Sequence, residues 1–453
     1  MTFLFLIPGC ISLYLVLKGR VEEAFFSVYL PSLLLLPAGF GVRLPHLPYL
    51  SASEYVLIPI GVVGLTRHIK GGSFRIMDAL VFLFWASFLT TEILHEPVLN
   101  DGILASIELF ISQILAYSVG RQLIEPDLRF KTIRRFVIFI LLLFPFGVYE
   151  WRFAQSVYGI IAAKFGITLG EIGAGIQMRG GRGRLEVSFS GGEFAGTVIG
   201  ATFALNAWLI FVNKARRVDL GNRLAKLEKY HIPELVMVLC IYLTQSRGAM
   251  ISFAAAFIIL QIPKFKKIKL ATIVVIVLFA VGGLGAKGYF ASSVAIDEAS
   301  MTEQQHSTYY RQQMNEAYQS VAELGGLFGW SEGAVPEVGG QKSIDNHFLL
   351  VHLMQGELGF ILLILVAAES IRTAIAKAWS FEAQEDRVLA CSMLAIFTIF
   401  WITYYTVFMG AQMPEITFLM LGWGQSIVAG RASTALVTAP VGQSKFTLRR
   451  VFQ

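Results

Sequence analysis

Apolar residues along this chain come in long blocks separated by short polar joints. Runs such as FVIFILLLFPF (136–146) and ATIVVIVLFAVGGLGA (271–286) are apolar on every face. A helix needs about 20 such residues to cross a bilayer. The pattern predicts helices near 2–17, 23–41, 50–66, 76–93, 102–119, 135–153, 187–212, 234–246, 248–262, 268–286, 346–368, 388–409 and 414–430. The fold class expected is all-α, a polytopic transmembrane helical bundle of about 12–13 spans. Two segments break the rhythm of short joints: a Gly/Arg-rich loop at 154–186, and a polar loop at 287–345 between the tenth and eleventh spans. Loops of that length are uncommon unless they have a function. The chain therefore divides into N-terminal helices (1–153), the first loop (154–186), central helices with a hairpin (187–286), the large loop (287–345), C-terminal helices (346–430) and a basic tail (431–453).

Within the large loop, Tyr310, Met314, Ala317, Val321 and Leu324 recur at helical spacing, with Gln312, Gln313, Glu316 and Gln319 opposite. That helix is expected to stop at Gly325-Gly326. It would lie on the outer rim of the membrane or cap a cavity between spans.

Composition agrees with the pattern. Of the 453 residues, 55% are hydrophobic and 15% charged, with a mean hydropathy of +0.63. A soluble domain carries about 25% charged residues. The net charge of +6 raises the question of a nucleic-acid partner, but the basic residues sit between spans, so none is expected. Cys10, Cys240 and Cys391 lie far apart in apolar segments and read as small core residues. The amino terminus lacks a positive leader and reads as an uncleaved first span; its LIPGC only faintly matches a lipidation box. Of the 37 Lys and Arg, 27 fall on one face, which the positive-inside rule makes cytoplasmic, with the amino terminus outside. Both long loops then lie on the outer face.

The candidate chemistry is on that face. Arg179, Arg182 and Arg184 sit in MRGGRGRLEVSFSGGEFAG (178–196), where glycine admits close backbone approach and arginine offers a two-pronged donor to phosphate. For Arg179 and Arg182 contact with lipid headgroups is the simpler reading; Arg184 stands nearer the membrane and Glu193. The segment 235–262 reads as a helical hairpin that holds Gln245, Ser246, Arg247 and Gly248 at its turn, because one long helix would bury Arg247 mid-membrane. His347 falls in the first turn of the eleventh span, with Asp345 or Asn346 as the helix cap. An imidazole there can take a proton near neutral pH. His352 lies off its face and cannot share a metal with it. Glu108 and Glu357 read as mid-span carboxylates, serving a proton relay or an interhelical hydrogen bond. The chain contains no P-loop, no H-E-x-x-H and no D-x-D, so neither a nucleotide nor a metal has a visible home.

Taken together, LTQSRGA (243–249), YYRQQMNEAY (309–318), LFGWSEG (327–333), DNHFLLVHLMQGELGF (345–360) and, more loosely, RLEVSFSGGEFAG (184–196) resemble the O-antigen ligase and O-antigen polymerase superfamily. The likeness covers roughly 180–365; the first 150 residues match only as a series of spans. It implies an enzyme of the bacterial inner membrane, with its active site on the periplasmic face. The reaction implied is metal-independent, inverting transfer of an undecaprenyl-diphosphate-linked glycan to a sugar hydroxyl, on the lipid A core for a ligase or on another lipid-linked repeat for a polymerase. No cofactor is implied; the partners are the lipid-linked donor, the glycan or lipid A-core acceptor, membrane lipids and other polysaccharide-export proteins. Arg184, Arg247 and Arg311 are carried over as the diphosphate clamp and His347 as acceptor base or orienter. Glu193 departs from the family's neutral segment and stands as an alternative base or the partner of Arg184. A transporter or flippase of a lipid-linked or anionic substrate is the rival reading, and a membrane acyltransferase a third.

Overall fold

The structure, a computed structural model, describes residues 2–71, 74–95, 99–167, 175–216, 231–294, 303–338 and 343–427. The basic tail and parts of both long loops lie outside the described residues. The helices are α1 (Ile7–Leu17), α2 (21–35, with a π-helical turn at Phe25–Tyr29), α3 (Ala52–Lys70), α4 (Ile76–His95), α5 (99–123, π-helical at Phe110–Leu115), α6 (Arg129–Phe153) and α7 (Val157–Phe165). They continue as α8 (Gly192–Arg216), α9 (Ile232–Leu243), α10 (Arg247–Ile259), α11 (Ile268–Val294), α12 (Glu303–Leu324), α13 (His347–Ser380), α14 (Gln384–Tyr404) and α15 (Met413–Ser426).

Each of the thirteen apolar blocks is helical over most of its length. Among the described residues, seven helices are long and apolar enough to cross a membrane: α4, α5, α6, α8, α10 with its extension to Lys264, α13 and α14. α1, α9 and the first half of α11 are apolar over a shorter length. The second expected helix ends early because Pro37, Pro45 and Pro48 follow it; residues 36–51 instead form two antiparallel strands, β1 (Gly41–Arg43) and β2 (Tyr49–Ser51), with Val42 opposite Leu50. Ser51 then starts α3 with a capping box, its hydroxyl and the Glu54 carboxylate satisfying each other's backbone amides.

The core is built around α14, which is buried on every side by α8, α10, α13 and α15. One end of the bundle collects the basic joints. There Asp78 accepts from the Tyr117 hydroxyl and the Arg75 amide, with Arg121 and His68 each 3.6 Å away. Lys377 donates to the carbonyls of Gly424 (2.6 Å) and Gln425 (2.9 Å), and Arg75 also donates to Gln425. These cations close the C-terminus of α15, where the helix dipole favours positive charge. Cys240 and Cys391 are buried as expected, whereas Cys10 is exposed, because α1 packs by one narrow face and turns the rest outward.

The helix α13 is broken. Gly356 has φ 64° and ψ −162°, and the turn after α12 inserts its backbone into the gap. The amides of Trp330 and Ser331 donate to the carbonyls of Leu353 and Met354, and those of Glu357 and Leu358 donate to Gly326 and Leu327. The LFGWSEG turn and the QGELG break thus interlock. Thr91 and Glu92 of α4 hold the turn from the other side, through the Phe328 carbonyl and the Glu332 amide. Glu357, expected mid-span, instead stands exposed at the start of the longer half of α13, facing His352 at 3.3 Å. Glu108 lies in α5, within electrostatic reach of Glu54 and Glu332.

The expected cap helix is present as α12. Its buried line runs through Met314, Tyr318 and Ala322 and packs on Leu353 of the short half of α13, while Leu324 is exposed. Tyr318 and Ala322, which the stripe left out, complete the contact, with Val335, Val338 and Leu349 packed around them. Gln312, Gln313, Glu316 and Gln319 face outward as expected.

Candidate functional site at the end opposite the basic joints

The Gly/Arg-rich segment folds as a β-hairpin. β3 (Met178–Arg179) pairs with β4 (Arg182–Gly183) across Gly180 and Gly181, both at positive φ (57° and 74°). Two left-handed central residues make the turn whose twist suits a two-residue hairpin, which is why glycine occupies both positions. The hairpin aims its arginines at three different targets. The Arg179 Nη1 donates to the Gln245 carbonyl at 2.7 Å. Arg182 lies over the Trp151 ring at 4.3 Å. Arg184 is buried: its Nε donates to the Thr244 carbonyl (2.9 Å), its Nη1 to the Gln177 side chain, and its Nη2 pairs with Glu193 at 2.7 Å.

A carboxylate beneath fixes the strand that follows. Glu150, buried at the end of α6, accepts from the amides of Glu186 (3.1 Å) and Val187 (2.6 Å). Val187 has φ 45°, a strained conformation for a β-branched residue, and the Glu150 bond helps hold it there. Glu186 accepts in turn from the Gln177 amide at 3.1 Å. Burial, with the charges of Glu150 and Glu193 adding to it, outweighs that bond and Arg184 and pushes the Glu186 pKa up to about 7.

Arg179 and Arg184 therefore grip the turn between α9 and α10, and that turn carries Arg247. The hairpin expected over 235–262 is present: Gln245 takes a positive φ of 52°, Ser246 caps α10 by accepting from the Ala249 amide, and Arg247 is the first helical residue. The positive end of the α10 dipole and the Arg247 guanidinium share one place. Arg311, half-buried on α12, is close enough to Arg247 for the two charges to act on each other. Its buried Nε meets no hydrogen-bond partner among the described residues. Two guanidiniums within electrostatic reach of each other, one of them at a helix N-terminus, can bind an anion with more than one charge.

His347 opens the short half of α13, capped by Asn346, whose side chain accepts from the amides of Phe348 (3.1 Å) and Leu349 (3.3 Å). The Met409 amide donates to His347 Nδ1 at 3.3 Å, and the ring lies 5.7 Å from that of Tyr404. Because Nδ1 accepts, the neutral imidazole carries its proton on Nε2. That Nε2 is buried and has no hydrogen-bond partner among the described residues.

The link between His347 and the arginines is the loop between α14 and α15, which the sequence pattern hid by running its helix on to 409. Thr406 lies against Gly248, beside Arg247. Phe408 meets Phe194 edge-on at 5.8 Å, next to Glu193, and Met409 holds His347. Tyr405 is exposed although α14 beneath it is buried on all sides, so it opens toward the end of the bundle. Gly410 and Pro414, a turn former and a first-turn proline, are the signals that mark this loop. Arg184, Glu193 and Arg247 are thus joined directly through the 244–247 turn, Arg311 reaches them through space, and His347 through this loop. Among the described residues, no group of three or more His, Cys, Asp or Glu is arranged to hold a metal ion. No protein-family model matches the chain, and no curated protein matches it.

Proposed function

We propose that the chain is a membrane glycosyltransferase of the O-antigen ligase/polymerase type, moving a glycan from undecaprenyl diphosphate to a sugar hydroxyl on the outer face of the bacterial inner membrane. The observation that carries this reading is that Arg247, at the N-terminus of α10, lies within electrostatic reach of Arg311 and is linked through the 405–409 loop to a histidine whose Nε2 has no hydrogen-bond partner among the described residues. When the acceptor oxygen attacks the anomeric carbon, the bond to the diphosphate breaks and negative charge builds on the leaving group. Arg247, Arg311 and the α10 dipole stabilise that charge. Arg184 has its donors committed to Thr244, Gln177 and Glu193, so it positions the Arg247 turn, and Glu193 balances Arg184. In the tautomer set by Met409, His347 donates from Nε2 and orients the acceptor oxygen. The acceptor proton is released to bulk water on the outer face as the new bond forms, because the diphosphate departs as an anion from the opposite side of the anomeric carbon. Single displacement inverts the anomeric centre.

The carboxylate of Glu108, near Glu54 and Glu332, favours the rival reading of a proton-coupled transporter. Purified chain in detergent with lipid-linked donor and acceptor separates the two. A transferase turns over without a membrane gradient, and His347→Ala slows it by about 10²–10³ as for other single oriented donors; a transporter gives no product there. Loss of long chains from single acceptor-linked repeats in a deletion strain marks a polymerase, and accumulation of lipid-linked long chains marks a ligase.

A further inference from the structure

The opposite, basic end of the bundle contains a crevice of about 500 Å³ that takes no part in the site above. Its walls are the tight turn from α1 into α2, the end of α3 and the first turns of α6. Five cations line it: Lys18, Arg20, Arg67, Lys131 and Arg135. Three carboxylates stand against them. Glu23 is taken by Arg20 in an exposed ion pair, and Glu125 lies within reach of Arg67. Burial, together with Asp127 and Glu22, pushes the Glu125 pKa up and weakens its negative charge. Positive charge is therefore in excess, concentrated on Lys18 on one side and on Lys131 and Arg135 on the other.

These cations are placed rather than free in solution. The Lys131 ammonium rests 3.9 Å from the centre of the Phe26 ring, and Lys18 lies 5.8 Å over Tyr14. Arg135 follows Lys131 by one helical turn on the same face of α6, and both line the crevice. Directly below the crevice, α1 presents Leu13, Tyr14 and Leu17 outward, each at least half-exposed or close to it, in an apolar strip that ends at Lys18. A cationic hollow where helices leave the bilayer, continued by an exposed apolar strip, has the two halves of one amphiphile written into it.

We infer that this crevice binds the headgroup of an anionic phospholipid, its phosphate between Lys18 and the Lys131–Arg135 pair and its acyl chains along α1. The inference does not depend on the transferase reading. The test is thermal unfolding of the purified full chain in detergent, with phosphatidylglycerol, with phosphatidylcholine of the same acyl chains, or with inorganic phosphate. Phosphatidylglycerol is expected to raise the melting temperature by at least about 2 °C, with no shift from the other two. In Lys131→Gln/Arg135→Gln the shift is lost, while the melting temperature without lipid stays near that of the unchanged chain. If that variant folds poorly, native mass spectrometry of the unchanged chain decides: bound phosphatidylglycerol is retained in preference to phosphatidylcholine. Equal stabilisation by both lipids, an equal shift from phosphate alone, or an unchanged response in the variant overturns the proposal.

Discussion

Arg184 and Arg247 read alike in the sequence, two arginines beside glycine on the same face, and their surroundings separate them. The partners of Arg184 come from Gln177, Glu193 and Thr244, and only the fold brings Thr244 within reach. No spacing rule foretells a carbonyl 60 residues away. Arg247 was legible because the cost of burying a charge mid-membrane forces a turn at that point. Lysine at 247 keeps the charge and loses the planar fork. Arg247→Lys is expected to lower the transfer rate by about 10², measured with purified donor and acceptor. Free replacement by lysine would make Arg247 an interfacial anchor only.

Glu186 makes a separate prediction from its pKa near 7, above the usual 4.5 for an unburied glutamate. The folded chain holds this proton more tightly than the unfolded chain does. The stabilising effect of the protonated carboxyl is fully present below about pH 4.5 and is lost as the pH rises through 7. Melting temperature is therefore expected to fall between pH 5 and 7, and in Glu186→Gln this part of the slope disappears. An unchanged slope in the variant would place the titrating group elsewhere.

Among the elements, α13 shows where apolar pattern stops being informative. Residues on both sides of Gly356 are apolar, so the block reads as one helix, yet a turn from 30 residues earlier occupies the break. The glycines at 325–326, 329 and 356 were the only local trace. At Gly356 a Cβ would stand 2.4 Å from the Gly326 carbonyl oxygen and the Gly329 amide nitrogen, in a backbone conformation that L side chains rarely adopt. Gly356→Ala is expected to cost at least the roughly 1–3 kcal/mol of such strain. The loss should appear locally, as faster amide exchange across 303–338 with α8 and α14 still protected. Uniform loosening would mean that the interlock supports the entire bundle. α12 itself was half legible: its outward glutamines follow from periodicity, but its buried line depends on where Leu353 lies.

Across the chain, the apolar blocks were legible because a run with few polar side chains has to satisfy its backbone within itself, which a helix does. Their lengths were less so. The prolines after α2 and the loop after α14 shorten two of them, because an apolar run does not register a missing amide or a turn signal inside it. The same holds for Lys377 and Arg75, which close the end of α15 from about 50 and 350 residues away.

The break at Gly356 also divides the site by ownership. Arg311 and the short half-helix that begins with His347 are both parts of one packed unit, sealed by Met314, Tyr318 and Leu353. Arg247 belongs to the other unit, the 244–247 turn gripped by Arg179 and Arg184. The half-helix that carries His347 also packs on the bundle: Val351 lies in the main core, the His347 ring is 5.7 Å from that of Tyr404, and the Met409 amide donates to the imidazole. On the proposed reading the molecule has a two-key lock: one guanidinium sits on the fixed 244–247 turn and the other on α12, so lifting α12 alone withdraws Arg311 and leaves Arg247 and His347 in place.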